Sequence, residues 1–124
     1  MRHTFRLAAP LAVLALLLFV AAPAFAGYGA VAYDVKTGKR GWSWNEPTLQ
    51  RASEVAMSQC GTSGCKVLMK VGPKRCGALA TTEDGKGWGA AGRATVDQSR
   101  VAALANCAKA KLGECVVRVS DCNK

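Results

Sequence analysis

The 124-residue chain is half hydrophobic and strongly basic, with 17 Lys and Arg residues, 8 Asp and Glu residues and a net charge of +9. This length fits one domain preceded by a short targeting segment. The single histidine, His3, lies at the amino terminus. Catalytic triads, Cys-His pairs and His-ligated metals are therefore excluded from the rest of the chain, and we expect no catalytic residue, no cofactor and no metal.

The amino terminus has the three parts of a secretory signal peptide. Arg2 and Arg6 provide a positive start, residues 7–22 are apolar, and an Ala-Phe-Ala sequence at 24–26 places small residues at a cleavage site. A retained membrane anchor is the alternative, but 16 apolar residues are short for a span of about 20. We therefore expect residues 1–26 to be removed during export.

Residues 27–124 are predicted to form the single mature domain, in the periplasm or outside the cell and without a transmembrane segment. Without Arg2 and Arg6, 15 Lys and Arg residues remain against 8 Asp and Glu residues, a net charge of +7. The charges are spread along the chain, so a solvated surface is the first interpretation. Attraction to an anionic partner is the second.

The cysteines of the mature domain predict three disulfides, because an even count in a short exported chain is typical of a disulfide framework. Zinc is the rival interpretation. The separations of 5, 11, 31, 8 and 7 residues and the absence of histidine after residue 26 disfavour it. The six cysteines are Cys60, Cys65, Cys76, Cys107, Cys115 and Cys122.

The mature sequence contains an internal duplication, with repeats at about 28–71 and 76–122. The two copies are offset by 46 to 50 residues, so the length changes fall where loops are expected. Two repeats of this size predict one pseudo-symmetric domain rather than a solenoid. The matching segments are 29–33 with 77–81, Gly-Trp at 41–42 with Gly-Trp at 87–88, 48–60 with 95–107, and 65–67 with 115–117.

Each half is predicted to fold as strand, turn, strand, helix and strand. In the first half the pattern of apolar residues and turn signals predicts strands at 29–34, 41–44 and 65–71 and a helix at 49–59. The second half repeats this order. Its helix begins at Thr95, which opens a sequence with the form of a capping box.

Small and apolar residues at helical spacing indicate the buried faces of both helices. The first face is predicted to contain Leu49, Ala52, Ala56 and Cys60. The second is predicted to contain Val101, Leu104, Ala105 and Ala108. The fold class is α+β, with two pseudo-symmetric ββαβ repeats packed as one disulfide-stapled domain, the sheets on one side and the two helices on the other.

The duplication favours one disulfide pairing among the fifteen that six cysteines allow. Cys60 and Cys107 stand at equivalent helix ends. Cys65 and Cys115 stand at equivalent strand starts. The predicted bonds are Cys60–Cys65, Cys107–Cys115 and, as the remaining pair, Cys76–Cys122.

The three tryptophans divide into a repeated pair and a single residue. Trp42 and Trp88 share the repeated Gly-Trp position, which favours packing in the core. Trp44 has no aromatic counterpart and is expected to be exposed near Lys39 and Arg40. Aromatic and basic neighbours of this kind stack on sugars or on the surface of a partner, so these three residues are the candidate binding surface.

The sequence resembles a family of small exported bacterial proteins known as domain of unknown function 4189. The resemblance rests on Cys76-Gly-Ala-Leu-Ala, the Gly-Trp-Gly that begins at Gly87, and the cysteine spacing, and it covers essentially all of the mature chain. It implies an exported, disulfide-bearing domain with no established activity. No catalytic residue is carried over from it.

These features favour an exported, non-catalytic binding module, such as an inhibitor or accessory protein that acts on another exported or envelope protein. The alternative is a basic binder of envelope polysaccharide or another polyanion, and we do not expect nucleic acid to be the partner. A small carboxylate-dependent hydrolase is the third hypothesis. It would require Glu46, Glu54 or Glu83 to gather in a pocket.

Overall fold

The structure is a computed structural model that describes residues 27–124, so the predicted signal peptide at 1–26 lies outside the described residues. The described chain forms two ββαβ units, which confirms the predicted α+β class. The first unit contains β1 (Tyr28–Tyr33), β2 (Arg40–Glu46), α1 (Leu49–Cys60) and β3 (Lys66–Val71). The second contains β4 (Cys76–Thr82), β5 (Trp88–Arg93), α2 (Val96–Ala108) and β6 (Cys115–Cys122).

Each unit forms an antiparallel three-stranded sheet with its first strand in the centre. The strand orders are β2-β1-β3 and β5-β4-β6. The strand registers are equivalent, because Ala32 pairs with Gly41 in the first sheet and Ala80 pairs with Gly89 in the second. Gly41 and Gly89 therefore occupy the same position in the two halves.

This register corrects the sequence match between the two Gly-Trp pairs. Arg40 pairs with Tyr33 in the first sheet, and Trp88 pairs with Thr81 in the second. Trp88 therefore occupies the position of Arg40 and not that of Trp42. The sequence comparison aligned the tryptophans, whereas the structure aligns the glycines that lie beneath the helices.

The two sheets pack face to face, and each helix covers the outer face of its own sheet. Ala30 and Ala32 of β1 are buried beneath α1, whereas Val31 and Tyr33 of the same strand are buried between the sheets. In β4, Ala78 and Ala80 face α2 and Leu79 joins the core between the sheets. The predicted arrangement with both helices on one side is wrong, because both faces of each central strand are apolar and each face needs its own cover.

Glycine at 41 and 89 lets each helix lie directly on its sheet. A Cβ atom at Gly41 would collide with the backbone of α1 at Ala56 and Cys60. A Cβ atom at Gly89 would collide with the backbone of α2 in the same way. The two positions thus require glycine for close approach.

The same close approach selects the buried face of each helix. Thr48 and Thr95 cap the two helices, and their side chains accept hydrogen bonds from the third residue that follows each. The buried residues are Ala52, Ala56 and Cys60 in α1 and Ser99, Ala103 and Cys107 in α2.

Within residues 27–124, neither helix is long and apolar enough to cross a membrane.

The predicted inward face of α2 is therefore wrong. Val101 is 69% exposed, Ala105 and Ala108 are exposed, and Leu104 is half-buried. In α1, Leu49 is also exposed, at 37%. Larger side chains point away because only small ones fit between the helix and the central strand.

Three disulfides close the domain, and they are the same three pairs that the duplication predicts. Cys60–Cys65 joins the end of α1 to the residue before β3, and Cys107–Cys115 joins α2 to the first residue of β6. Cys76–Cys122 joins β4 to β6 across 46 residues of sequence. In the loop-entropy treatment, each short loop contributes about 2–3 kcal/mol and the long loop about 4 kcal/mol.

We expect Gly41→Ala and Gly89→Ala each to lower the free energy of unfolding by about 1–3 kcal/mol, the usual cost of overpacking. Gly72→Ala is the matched control, because a Cβ atom there meets nothing within 4 Å. Urea denaturation of the three variants measures the difference. Equal stability of all three would contradict the close approach of helix and sheet.

Candidate functional site

Both sheets contain a β-bulge at the same place in their third strand. Leu68 is the unpaired extra residue in β3, and Arg118 is the unpaired extra residue in β6. A bulge re-aims the side chain of the extra residue. Because β3 and β6 are edge strands, these two side chains lie at equivalent edges of the sandwich.

A groove beside Leu68 is lined largely by apolar and aromatic side chains. It has a volume of about 330 Å³ and lies between β3, the β1–β2 turn and the start of β5. Trp88 is 40% exposed and Val35 is 45% exposed. We call it the aromatic groove and define it by Tyr33, Asp34, Val35, Lys36, Gly64, Lys66, Leu68 and Trp88.

The equivalent groove beside Arg118 combines charged side chains with the exposed apolar side chains of Leu112 and Val116. Two adjoining cavities of about 620 and 340 Å³ share Glu83, Asp84 and Arg118. The larger cavity extends to Glu114 and the smaller one to Arg40. We call these cavities together the charged groove and define it by these five charged residues.

The two grooves are related by the duplication but differ in chemistry. At the bulge, Leu68 in the aromatic groove corresponds to Arg118 in the charged groove. At the first position of the second strand, Trp88 corresponds to Arg40. The same two positions of the repeated fold therefore carry apolar side chains in the aromatic groove and guanidinium groups in the charged groove.

Tyr33 lies between the two grooves and lines a cavity of each. Its hydroxyl donates a hydrogen bond to the carbonyl oxygen of Gly85 in the β4–β5 turn. Burial raises the pKa of the Tyr33 hydroxyl, so this group remains a protonated donor at neutral pH. The bond links the β4–β5 turn of the second half to the first sheet, at a point where the two grooves meet.

One carboxylate in each groove is held in its ionised form. Asp34 in the aromatic groove is buried, and its Oδ2 accepts a hydrogen bond of 2.5 Å from the Thr62 hydroxyl, which lowers the pKa of Asp34. Asp84 in the charged groove accepts a hydrogen bond of 2.7 Å from the Thr82 hydroxyl, which lowers the pKa of Asp84. A general acid needs the opposite shift, so neither group is suited to that role at neutral pH.

The structure places the tryptophans differently from the sequence-based prediction. Trp42 and Trp88 are 41% and 40% exposed, whereas Trp44 is half-buried against the core between the sheets. Lys39 and Arg40 line a shallow cavity of about 510 Å³ with Trp42 rather than with Trp44. The ring of Trp44 packs over a glycine of β1, and this contact holds it against the protein.

The three glutamates considered for hydrolysis are not brought together by the geometry. Glu83 lines the charged groove. Glu54 forms an ion pair of 3.6 Å with Arg51 on the surface of α1, and Glu46 pairs with Tyr28 at the far end of β2. Within residues 27–124, no group of three or more His, Cys, Asp or Glu residues is arranged to hold a metal ion.

The fold and the three disulfides define a duplicated, disulfide-clamped α+β domain. Residues 28–122 match the family described as Domain of unknown function (DUF4189), and the chain belongs to this family. The prediction made from the Cys-Gly-Ala-Leu-Ala run and the cysteine spacing is thereby confirmed.

The relatives of this chain include two proteins from Mycobacterium tuberculosis (strain H37Rv). Uncharacterized protein Rv1813c is 41% identical over 58 residues, which are 47% of this chain and 38% of that protein. Protein Rv1269c is 43% identical over 56 residues, which are 45% of this chain and 43% of that protein. The matched segments thus span about two fifths of the length of these relatives.

The NMR structure of Rv1813c from Mycobacterium tuberculosis has a similar fold. Its TM-score is 0.58 at 24% sequence identity, over 99% of this chain and 97% of that chain. This likeness concerns the fold alone.

Proposed function

We propose that the protein is an exported, non-catalytic binding module that recognises another exported or envelope protein through the aromatic groove. The observation that carries this proposal is the exposure of Trp88 and Val35 over one preformed groove. An inhibitor or an accessory protein would act through a surface of this kind. The apolar segment at 7–22 and the three disulfides support export to an oxidising compartment.

The composition of the aromatic groove supports a protein as its ligand. Tryptophan is enriched among the residues that contribute most to protein–protein affinity, especially where it lies in a pocket rimmed by polar groups. Trp88 is a large apolar side chain with 40% of its surface in water, and Leu68 and Val35 line the same cavity. Burial of these groups against a partner would remove apolar surface from water.

The rigidity of the surrounding structure supports binding without a large entropic cost. The loop closed by Cys60–Cys65 provides Gly64 to the wall of the aromatic groove. Within the described residues, every buried side-chain nitrogen and oxygen has a hydrogen-bond partner. A groove whose walls are held in place loses less conformational entropy on binding than a flexible one.

The carboxylate chemistry supports a role without catalysis. Hydroxyl donors lower the pKa of Asp34 in the aromatic groove and the pKa of Asp84 in the charged groove. The two-carboxylate mechanism of a hydrolase instead needs one acid with a raised pKa beside an ionised partner.

We expect Trp88→Ala to abolish capture of the partner, because loss of a central tryptophan commonly weakens an interface by about 2 kcal/mol or more. The measurement is affinity capture from envelope and secreted fractions of the native host, followed by mass spectrometry. Trp42→Ala is the matched control, since Trp42 is equally exposed but lies outside the aromatic groove.

The proposal requires at least one protein that is recovered by the unmodified domain and by Trp42→Ala but not by Trp88→Ala. Equal recovery by both variants, or no reproducible recovery by any form, would contradict it.

A second candidate function is the binding of an anionic envelope polymer, and the ion-pair pattern favours it. Residues 27–124 carry a net charge of +7. Within this range, Arg51 and Arg100 are the basic residues that form side-chain ion pairs, at 3.6 and 3.4 Å. The other basic side chains remain available to a polyanion.

This second candidate predicts strongly salt-dependent binding, because a polyanion releases counterions when basic side chains contact it. With heparin as a model polyanion, we expect the affinity to fall at least tenfold between about 50 and 200 mM NaCl. Fluorescence anisotropy with labelled heparin measures the change. Affinity that stays constant over this range would exclude electrostatic binding.

A further inference from the structure

The outer edge of β3 is open and forms one side of the aromatic groove. Sheet order β2-β1-β3 leaves the outer backbone groups of β3 without a strand partner in the described chain. Lys66 and Leu68 of this strand both line the groove. An open edge of this kind accepts an extended peptide as an additional strand, with affinity from backbone hydrogen bonds and specificity from side-chain pockets.

The charges at this edge select the kind of segment that fits. Lys36 and Lys66 line the groove, and neither forms an ion pair within residues 27–124. The carboxylate of Asp34 points to Thr62 and to the backbone N–H of Lys36, at 2.5 and 2.9 Å. It is 3% exposed, so the ammonium groups are the charges that a ligand meets.

Lysine at an edge strand also disfavours another copy of this basic chain. Lys66 and Lys70 are both exposed on β3, and a second domain would bring a further net charge of +7 to the same edge. Edge lysines commonly prevent pairing between identical chains. They leave the edge open to an acidic segment.

We propose that the aromatic groove binds an extended acidic segment of a partner protein, which adds to the edge of β3. The segment places an apolar side chain against Trp88 and Leu68 and a carboxylate beside Lys66. Lys66 and Leu68 line the same groove, and side chains two positions apart in an extended strand share a face. The segment therefore carries Asp or Glu two positions from its apolar residue.

This inference rests on the proposed function and specifies its ligand. The probe is a random dodecapeptide library displayed on phage and selected on the disulfide-intact mature domain. We expect the enriched peptides to share an acidic residue two positions from an aromatic or large aliphatic residue. A synthetic peptide of the enriched sequence, carrying a fluorescent label, then provides the dissociation constant for each variant.

The decisive comparison is Lys66→Glu against Lys70→Glu. Both substitutions reverse one charge on the exposed part of β3, but Lys66 lines the groove and Lys70 does not. We expect Lys66→Glu to raise the dissociation constant of the labelled peptide roughly tenfold and Lys70→Glu to raise it less than about twofold. Thermal unfolding of both variants checks that each one folds.

Three outcomes would overturn this inference: no enriched peptide, enriched peptides without an acidic residue, or equal effects of the two substitutions. These outcomes are distinct from failure of the proposed function. If capture of a host protein depends on Trp88 and any one of these three outcomes is also observed, the protein-binding function is retained and the extended acidic ligand is rejected. Loss of that dependence would reject the function itself.

Discussion

The fold depends on burying both faces of each central strand. In β1, the alanines at 30 and 32 face the helix and Val31 and Tyr33 face the opposite sheet. Small residues on one face let the helix backbone approach the sheet, while larger residues on the other face fill the space between the sheets. Gly41 extends the small face onto the neighbouring strand, and Gly89 does so in the second half. Neither ββαβ unit can bury its second face alone, so the two halves need each other.

Once this core is fixed, the edges of the sandwich are free to differ. Leu68 and Arg118 occupy equivalent bulges, and Trp88 and Arg40 occupy equivalent strand starts. None of these four is fully buried, although Leu68 packs in part against the core between the sheets. Duplication thus gave two copies of one groove, and substitution at these incompletely buried positions made one groove aromatic and the other charged. Tyr33 still connects them through its bond to Gly85.

Local patterns and the repeat were sufficient to predict much of the fold. The helix from Leu49 and the pairing of Cys60 with Cys65 follow from helical spacing and from equivalent positions in the two halves. The placement of the layers did not follow, because alanine-rich strands such as β4 give no indication of which face meets a helix. The alignment of Trp42 with Trp88 failed for a related reason, since the constrained residue in each half is the glycine beneath the helix.

The candidate site was harder to predict than the fold. The repeated Gly-Trp pair predicts that Trp88 packs in the core, but this side chain is 40% exposed. The burial of a side chain on an edge strand depends on how far the opposite sheet extends over that strand, and sequence periodicity does not report this distance. Leu68 and Arg118 were missed because a bulge leaves no composition signal. Both third strands contain the bulge, so it leaves no trace in the offset between the repeats either. That offset rises from 47 residues in the helices to 50 in the third strands because Cys107 and Cys115 are 8 residues apart, whereas Cys60 and Cys65 are 5 apart.

Amide hydrogen exchange of the disulfide-intact mature domain tests the mutual dependence of the two halves most directly. The account predicts that the amides of β1 and β4 are the slowest to exchange and open with the same free energy. It also predicts that Leu79→Val, a substitution in the second half, lowers the protection of β1 as much as that of β4. Undiminished protection of β1 in this variant would show that the first unit is stable by itself, and would contradict the shared core.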